Sequence, residues 1–558
     1  MFTKNSKHKN LLIISFFFIF FILAIFIHDD YGVSFDELMH RINAKTSLGY
    51  ISEFVDEFSI SRFLNNDLPS LSWYYAKTGS EKLSELGAHN YGVFFDVFLE
   101  YLEGIINFND QKDFLTFKHF LNFCVFFIAS ILFFDLVSMK FNDWRIGIFG
   151  CLLLILSPRF FAESFYNMKD LIFMSLFIIS MNTSCKYIIN PTLKNIFWAS
   201  ITIALMIDIR SIGIFLPALV ILLTILKYFH KSISFRNLLT NSSILILLTS
   251  IFVILFWPRL WEAPYTNFVS SLSYFSAHAW NGHNFYLGKY IWAQNIPWHY
   301  LSVWIGITTP VLYLILFIFG IFLILRRLLN RLDKIDDNKK NYNDIWRGDK
   351  ELLDLFFLGL FLGPFVLIIT SGATLNDGWR QAYFLYPPLL MIALTGFYQI
   401  NIILKKLKIS KYFLFIVSLF LMSTFFWMIK AHPFQNVYFN FIAGKNPGEY
   451  FELDYWGLSD KEILERLLKK RPNDLIKIWP SSDTPLDNNM INYIIDKKDR
   501  DRIKIVKYID ESNYIINNNR YFGGEDGINE YNFDKSQYEI FDQMIVGNII
   551  INTLYKNK

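Results

Sequence analysis

Apolar residues in this chain gather in unbroken blocks instead of alternating with polar ones. The blocks lie at Leu11–Ile27, Leu115–Leu136, Ile146–Leu156, Leu171–Ile189, Ile196–Ile207, Ile212–Leu226, Ile244–Trp257, Leu301–Leu325, Leu352–Thr370, Ala382–Ile400 and Tyr412–Ile429. Most approach the roughly 17–25 residues that cross a bilayer as a helix, so the pattern predicts about eleven transmembrane helices. The first block follows Lys4, Lys7 and Lys9 but runs into His28-Asp29-Asp30 with no small-residue cleavage site, which reads as a retained helix. An odd number of crossings puts the two termini on opposite sides.

Lys and Arg between the blocks give the orientation. With the N-terminus cytoplasmic, the inward loops hold Lys140 and Arg145; Lys186 and Lys194; Lys227, Lys231 and Arg236; the basic 326–350 segment; and Lys405, Lys406, Lys408 and Lys411. The short outward loops carry far fewer cations. This asymmetry also divides Ile196–Leu226 into a hairpin turning near Asp208-Ile209-Arg210-Ser211, since one long helix would place its two basic flanks on opposite sides. Residues 1–430 form the membrane core, with outward loops at 28–113 and 258–300. Within the first loop, Tyr91–Phe108 carries Asp96, Glu100 and Glu103 on one helical face, as in a helix lying along the membrane surface. Residues 431–558 alternate short β-rich runs (Leu475–Trp479, Ile503–Tyr508, Ile545–Leu554) with a helical stretch, Asp460–Lys470, and predict a small extracytoplasmic α/β domain.

Composition agrees: 53% of residues are hydrophobic and 18% charged, against about 45–50% and 25% in soluble domains. A soluble enzyme, a coiled coil and a disordered chain are excluded. A net charge of +4 suggests no nucleic-acid partner. Cys124, Cys151 and Cys185 all sit in apolar blocks, which argues against disulfides and thiolate metal sites.

Candidate chemistry lies in ionisable residues at the outward ends of the spans, where charge is costly unless it faces a cavity. Asp36 and Glu37 follow the first helix and offer a general base, although Ser34 and Glu37 also form a capping-box pattern. The polar loop Ser157–Asp170 holds Arg159, Glu163, Asn167, Lys169 and Asp170. Arg210 sits at the hairpin apex, where pairing with Asp208 is the plain alternative. Arg259 lies in Trp257–Glu262. His278 and His283 are close in sequence but have no acid at ligand spacing, so no metal site is implied. Asp377 and Arg380 share an outward turn, and an Arg at a helix start calls for an anionic partner such as phosphate. His432 follows the last span. Carboxylates (Asp36, Glu37, Asp170) beside cations (Lys169, Arg210, Arg259, Arg380) suit transfer from a lipid-linked phosphate donor: the cations hold the phosphate and a carboxylate takes the acceptor's proton.

The Asp36-Glu37 pair after the first span, the Ser157–Asp170 loop ending in Lys-Asp, and the Arg-bearing hairpin resemble the C-type (GT-C) membrane glycosyltransferases. That group includes the protein O-mannosyltransferases of glycosyltransferase family 39 and the lipid A aminoarabinose transferases. Trp257–Trp261, Asp377–Tyr386, His432–Asn440 and Phe451–Gly457 look like a bacterial branch of the group, and the resemblance spans about Ile13 to Gly457. It implies transfer of a sugar, with inversion, from a polyprenyl-phosphate donor to a hydroxyl acceptor outside the cell membrane. The family's two acids would map onto Asp36, with Glu37 beside it, and onto Asp170. Asn167-Met168-Lys169 stands where Asn-Pro-Lys is expected. The short tail favours an envelope glycolipid or polysaccharide acceptor over protein. No cofactor is implied beyond the lipid-phosphate sugar as donor substrate, with a divalent cation left open. The alternative reading is a transporter or flippase of a lipid-linked or anionic solute; such proteins place charge near the midplane and show internal repeats, and neither is apparent here.

Overall fold

The computed structural model describes residues 2–52, 92–276, 282–332, 345–481, 484–520, 533 and 535–557. Helices α1 (Phe2–Ile27), α2 (Phe35–Ser52), α3 (Phe94–Ile106) and α4 (Gln111–Phe141) come first. Next come α5 (Trp144–Ile155), α6 (Pro158–Tyr166), α7 (Asp170–Ile189), α8 (Leu193–Ile209), α9 (Phe215–Phe229), α10 (Phe235–Phe256) and α11 (Pro264–Ser276). After the hairpin β1 (His283–Tyr286) and β2 (Lys289–Trp292), the chain forms α12 (Tyr300–Thr308), α13 (Val311–Leu332), α14 (Gly348–Ser371), α15 (Tyr386–Lys406) and α16 (Ser410–Ala431).

A helix occupies each of the eleven apolar blocks, but the expected eleven crossings become nine helices long and apolar enough to span among the described residues, or ten if one bent pair counts as a span. Length is the reason. Helix α5 has 12 residues, about 18 Å of rise against a hydrocarbon core of about 30 Å, and it continues into α6 across a bend of 72°. Helix α8 has 17 residues. The Leu301–Leu325 block is split at Pro310 into α12 and α13, as a proline that blocks the helical hydrogen bond requires. The chain is an α-helical polytopic membrane protein.

The loop expected over Ser157–Asp170 is instead helix α6, buried along its whole length. Its ring Phe165 stacks on Tyr31 (4.6 Å between centroids) and on Phe123 (5.1 Å), which pins the chain just before Asp36 to the α4–α6 corner. Helix α3 forms where a surface helix was expected, but Asp96 and Glu100 are buried while Phe94, Phe98, Ile105 and Ile106 are exposed. Its acidic face points into the protein.

The tail contains α17 (Ser459–Lys470), α18 (Asn488–Ile494) and a five-stranded mixed sheet. The strands are β3 (Ile476–Pro480), β4 (Ile503–Ile505), β5 (Tyr514–Asn518), β6 (Tyr538–Val546) and β7 (Ile549–Asn557), in the order β4-β3-β5-β7-β6. β3 is parallel to β4 and β5, and β7 is antiparallel to β5 and β6. The run expected as one strand, Ile545–Leu554, is the turn and second arm of the β6–β7 hairpin, reversed at Gly547 with φ +62.

Candidate functional site

Four separate stretches bring charged side chains to one end of the helices. Asp36 lies in the first turn of α2, which starts where the Ser34 N–H donates to Glu37 Oε1 (2.7 Å). Asp170 opens α7. Asn167 caps that helix: its Oδ1 accepts the backbone N–H of Asp170 (2.8 Å) and of Lys169 (3.2 Å). Arg210 follows the last residue of α8. Arg380 comes straight after a turn in which Asp377 (φ 53) and Gly378 (φ 73) are left-handed, a conformation that Gly and Asp tolerate best.

Arg380 is the hub. Its Nη1 donates to Asp36 Oδ2 (2.6 Å) and lies 3.5 Å from Asp170 Oδ2, while Nη2 meets Asp377 Oδ2 at 2.9 Å. Its guanidinium carbon stands 4.8 Å from the centre of the Trp456 ring, a cation–π arrangement. Arg210 donates to Asp170 Oδ1, and Arg520 of the tail donates to Asp377 Oδ1. Three carboxylates and three guanidiniums thus interleave. Asp170 is buried, whereas the Asp36 side chain is 32% exposed. Burial opposes ionisation of Asp36, but Arg380, then His40 and Arg210, outweigh it and hold its carboxyl below the usual range.

Beside the hub lies a second buried group. Glu163 accepts from Tyr383 Oη (2.8 Å), Tyr455 Oη (3.1 Å) and Asn167 Nδ2 (2.7 Å). Arg159 is buried with its guanidinium near the Trp304 and Phe439 rings (5.9 and 5.8 Å). Lys169 turns away from the hub: its Nζ donates to the Gly92 carbonyl (2.6 Å) and lies 3.8 Å from Asp96. Gly92 must be glycine, since a Cβ there would lie 1.7 Å from the Asp208 carbonyl oxygen.

The remaining sequence candidates fall elsewhere. Glu37 is buried, holding the Ser34 N–H and meeting His119 Nε2 at 3.1 Å, so it fixes the start of α2. Asp208 accepts the Phe94 N–H (3.0 Å), while Arg210 pairs with Asp170. Arg259 donates to Ser270 Oγ (3.2 Å) within its own segment. His283 packs on Trp292 (3.8 Å between centroids), and His278 lies outside the described residues. His432 Nε2 meets Asp30 Oδ2 at 2.7 Å. Among the described residues no group of three or more His, Cys, Asp or Glu is placed to hold a metal ion.

Sequence reasoning missed Tyr383, Tyr455, Trp456, Arg520 and Glu452. Glu452 accepts the Phe285 N–H (2.9 Å), and burial pushes its carboxyl upward against the pull of Arg520. The Tyr-Trp pair at 455–456 lies within the quoted Phe451–Gly457 motif, where its aromatics could have been read as site residues.

No family model matches the chain, and no curated protein matches it. Among solved structures it is similar to ArnT from Cupriavidus metallidurans bound to undecaprenyl phosphate, with 10% identity, 98% of each chain covered and a TM-score of 0.45.

Proposed function

We propose that this protein is an integral-membrane glycosyltransferase that moves a sugar from a polyprenyl-phosphate-linked donor to a hydroxyl acceptor on the extracytoplasmic face. One observation carries the reading: Arg380 joins Asp36 to Asp170, with Arg210 on the far side of Asp170. Charges this dense at the ends of membrane-crossing helices mark a function, and a carboxylate held between guanidiniums supplies both halves of the reaction.

The donor phosphate takes up hydrogen-bonding capacity of Arg380 and Arg210, whose planar forks match its oxygens. Asp36, ionised and partly exposed, accepts the proton of the acceptor hydroxyl. The freed oxygen pair attacks the anomeric carbon from the face opposite the phosphate, so configuration inverts. The bond from that carbon to the phosphate oxygen breaks, and the polyprenyl phosphate leaves with the electron pair, stabilised by the two guanidiniums. Binding of the phosphate also draws positive charge away from Asp36, which raises its basicity when it is needed. Asp170 orients both arginines. An envelope glycolipid or polysaccharide is the acceptor that fits a site at the membrane boundary.

The test is mass spectrometry of envelope glycolipids from cells carrying the wild type, no copy, or Asp36→Asn. The expected result is a sugar adduct present with the wild type, absent without it, and reduced about 100- to 10,000-fold by Asp36→Asn, at unchanged protein level in the membrane. An adduct retained at wild-type level in Asp36→Asn cells overturns the assignment.

A further inference from the structure

Glu163 has no exposed surface, and its two carboxylate oxygens accept from three donors in separate parts of the chain. It cannot meet a sugar or an acceptor where it stands, in contrast to the part-exposed Asp36. Each of its three donors, however, leads to a member of the hub.

Oε1 serves the Arg380 side. It accepts from Tyr383 Oη (2.8 Å), three residues beyond Arg380 in the same 3-10 helix, Arg380–Leu385. It also accepts from Tyr455 Oη (3.1 Å), and the next residue, Trp456, sets its ring against the Arg380 guanidinium. Oε2 serves the Asp170 side. Asn167 turns its Oδ1 toward the backbone N–H groups of Lys169 and Asp170, so its Nδ2 must find an acceptor elsewhere. Glu163 Oε2 is that acceptor at 2.7 Å, with Asp170 Oδ2 further off at 3.4 Å.

Packing alone does not call for a carboxylate in this helix. Rings already hold α6: Phe165 lies against Tyr31 and Phe123, and Phe160 against Tyr386 (4.2 Å between centroids). Desolvating a carboxylate is costly, and apolar side chains often replace buried ionic groups without loss of stability.

We infer that Glu163 is a positioning residue: it touches no reacting atom, but it fixes Arg380 and Asp170 relative to each other and so sets the anion-binding geometry of the hub. The inference rests on the proposed reaction, in which that geometry receives the donor phosphate. Glu163→Gln breaks the arrangement because one amide cannot serve both sides. With its oxygen toward the tyrosines, its NH2 faces the NH2 of Asn167; reversed, it faces two hydroxyls that would have to accept.

The full-length protein in phosphatidylcholine nanodiscs, titrated with undecaprenyl phosphate and read by native mass spectrometry, tests this. Arg380→Gln should weaken binding, and Glu163→Gln should weaken it about tenfold. Tyr383→Phe, which keeps the ring, should lose less. The Glu163→Gln/Tyr383→Phe pair should lose less than the product of the two, since the tyrosine acts through the carboxylate. Asp354→Asn breaks a buried ion pair with Lys140 and Arg327 at the opposite end of the bundle; it should lower the melting temperature and leave affinity intact. Full affinity in Glu163→Gln beside a weakened Arg380→Gln, strictly multiplicative losses in the pair, or an equal loss in Asp354→Asn would each overturn the inference and leave the reaction standing. No binding by the wild type, or undiminished binding by Arg380→Gln, would overturn the reaction and the inference with it.

Discussion

At the scale of single residues, the site works because opposite charges share partners. Asp36 is ionised at neutral pH because Arg380, with Arg210 behind it, overcomes the cost of its burial. A base must be deprotonated, so the rate falls only as pH drops through its pKa. That pKa lies below the ordinary aspartate value of about 3.9, and the acid limb of kcat/KM, which reports the free enzyme, should lie there too. Arg210→Gln removes one cation near Asp36 and leaves Asp170 less neutralised, and both changes raise the Asp36 pKa. The expected outcome is an acid limb displaced to higher pH, read from the position of the limb and not its height. A limb that stays in place, or moves to lower pH, would show that Asp36 is not the titrating base. Glu37 shows the limit of reading such residues in isolation. It neighbours Asp36 in sequence, yet it spends its carboxylate on Ser34 and His119; the capping-box pattern was the informative half of that motif.

Among elements, glycines decide how closely the helices approach. Helix α13 packs on α15 through Gly320 and Gly396. A Cβ at Gly320 would lie 2.1 Å from the Ile392 carbonyl oxygen, and one at Gly396 would lie 2.2 Å from that of Leu316. Helices in lipid associate by such close backbone contact, since burial from water contributes little there. α15 continues from the turn that carries Arg380, so a shift of α15 moves the hub. Gly396→Leu should therefore lower thermal stability in detergent by at least the roughly 1–3 kcal/mol of an overpacked core, and lower transfer as well. An unchanged melting temperature would contradict this packing. Apolar block length predicted a helix at every position, because hydrophobicity is a local property. It did not show that α5 bends into α6 or that Pro310 divides a span, since those depend on what the freed backbone groups meet inside the fold. The same limit applies to α3: the spacing of Asp96, Glu100 and Glu103 identified one face, but only Arg41, Lys45 and Lys118 around Glu100 and Glu103 turn that face inward.

Across the whole molecule, charge is sorted to two ends. Asp36, Asp170, Arg210 and Arg380 meet at one end; Lys140, Arg327, Asp354 and Thr395 meet at the other, where Lys140 Nζ donates to Thr395 Oγ1 (2.6 Å). The alternating loops separated these two sets in the sequence, but no pattern along the chain joined the tail to the first set. That link needs a contact between residues 143 positions apart. Within the tail, the sheet is held to the segment that carries Trp456: the Leu453 N–H donates to the Arg520 carbonyl (3.1 Å), and Asn518 Nδ2 donates to the Asp454 carbonyl (3.1 Å). From that position Arg520 shares Asp377 with Arg380. If the tail only covered the site, losing the Arg520 side chain would cost little. If it sets the charge on Asp377, Arg520→Gln should leave Asp377 drawing more on Arg380, beside its bond from Asn376 Nδ2 (2.8 Å), and weaken the hold of Arg380 on phosphate. A double-mutant cycle separates the two cases. Arg520→Gln and Asp377→Asn should each lower kcat/KM, and the double variant should lose less than the product of the two, a coupling of about 0.5–3 kcal/mol. Strictly multiplicative losses would mean that the tail and the hub act independently, and Arg520 would then be a surface contact of the sheet and no part of the site.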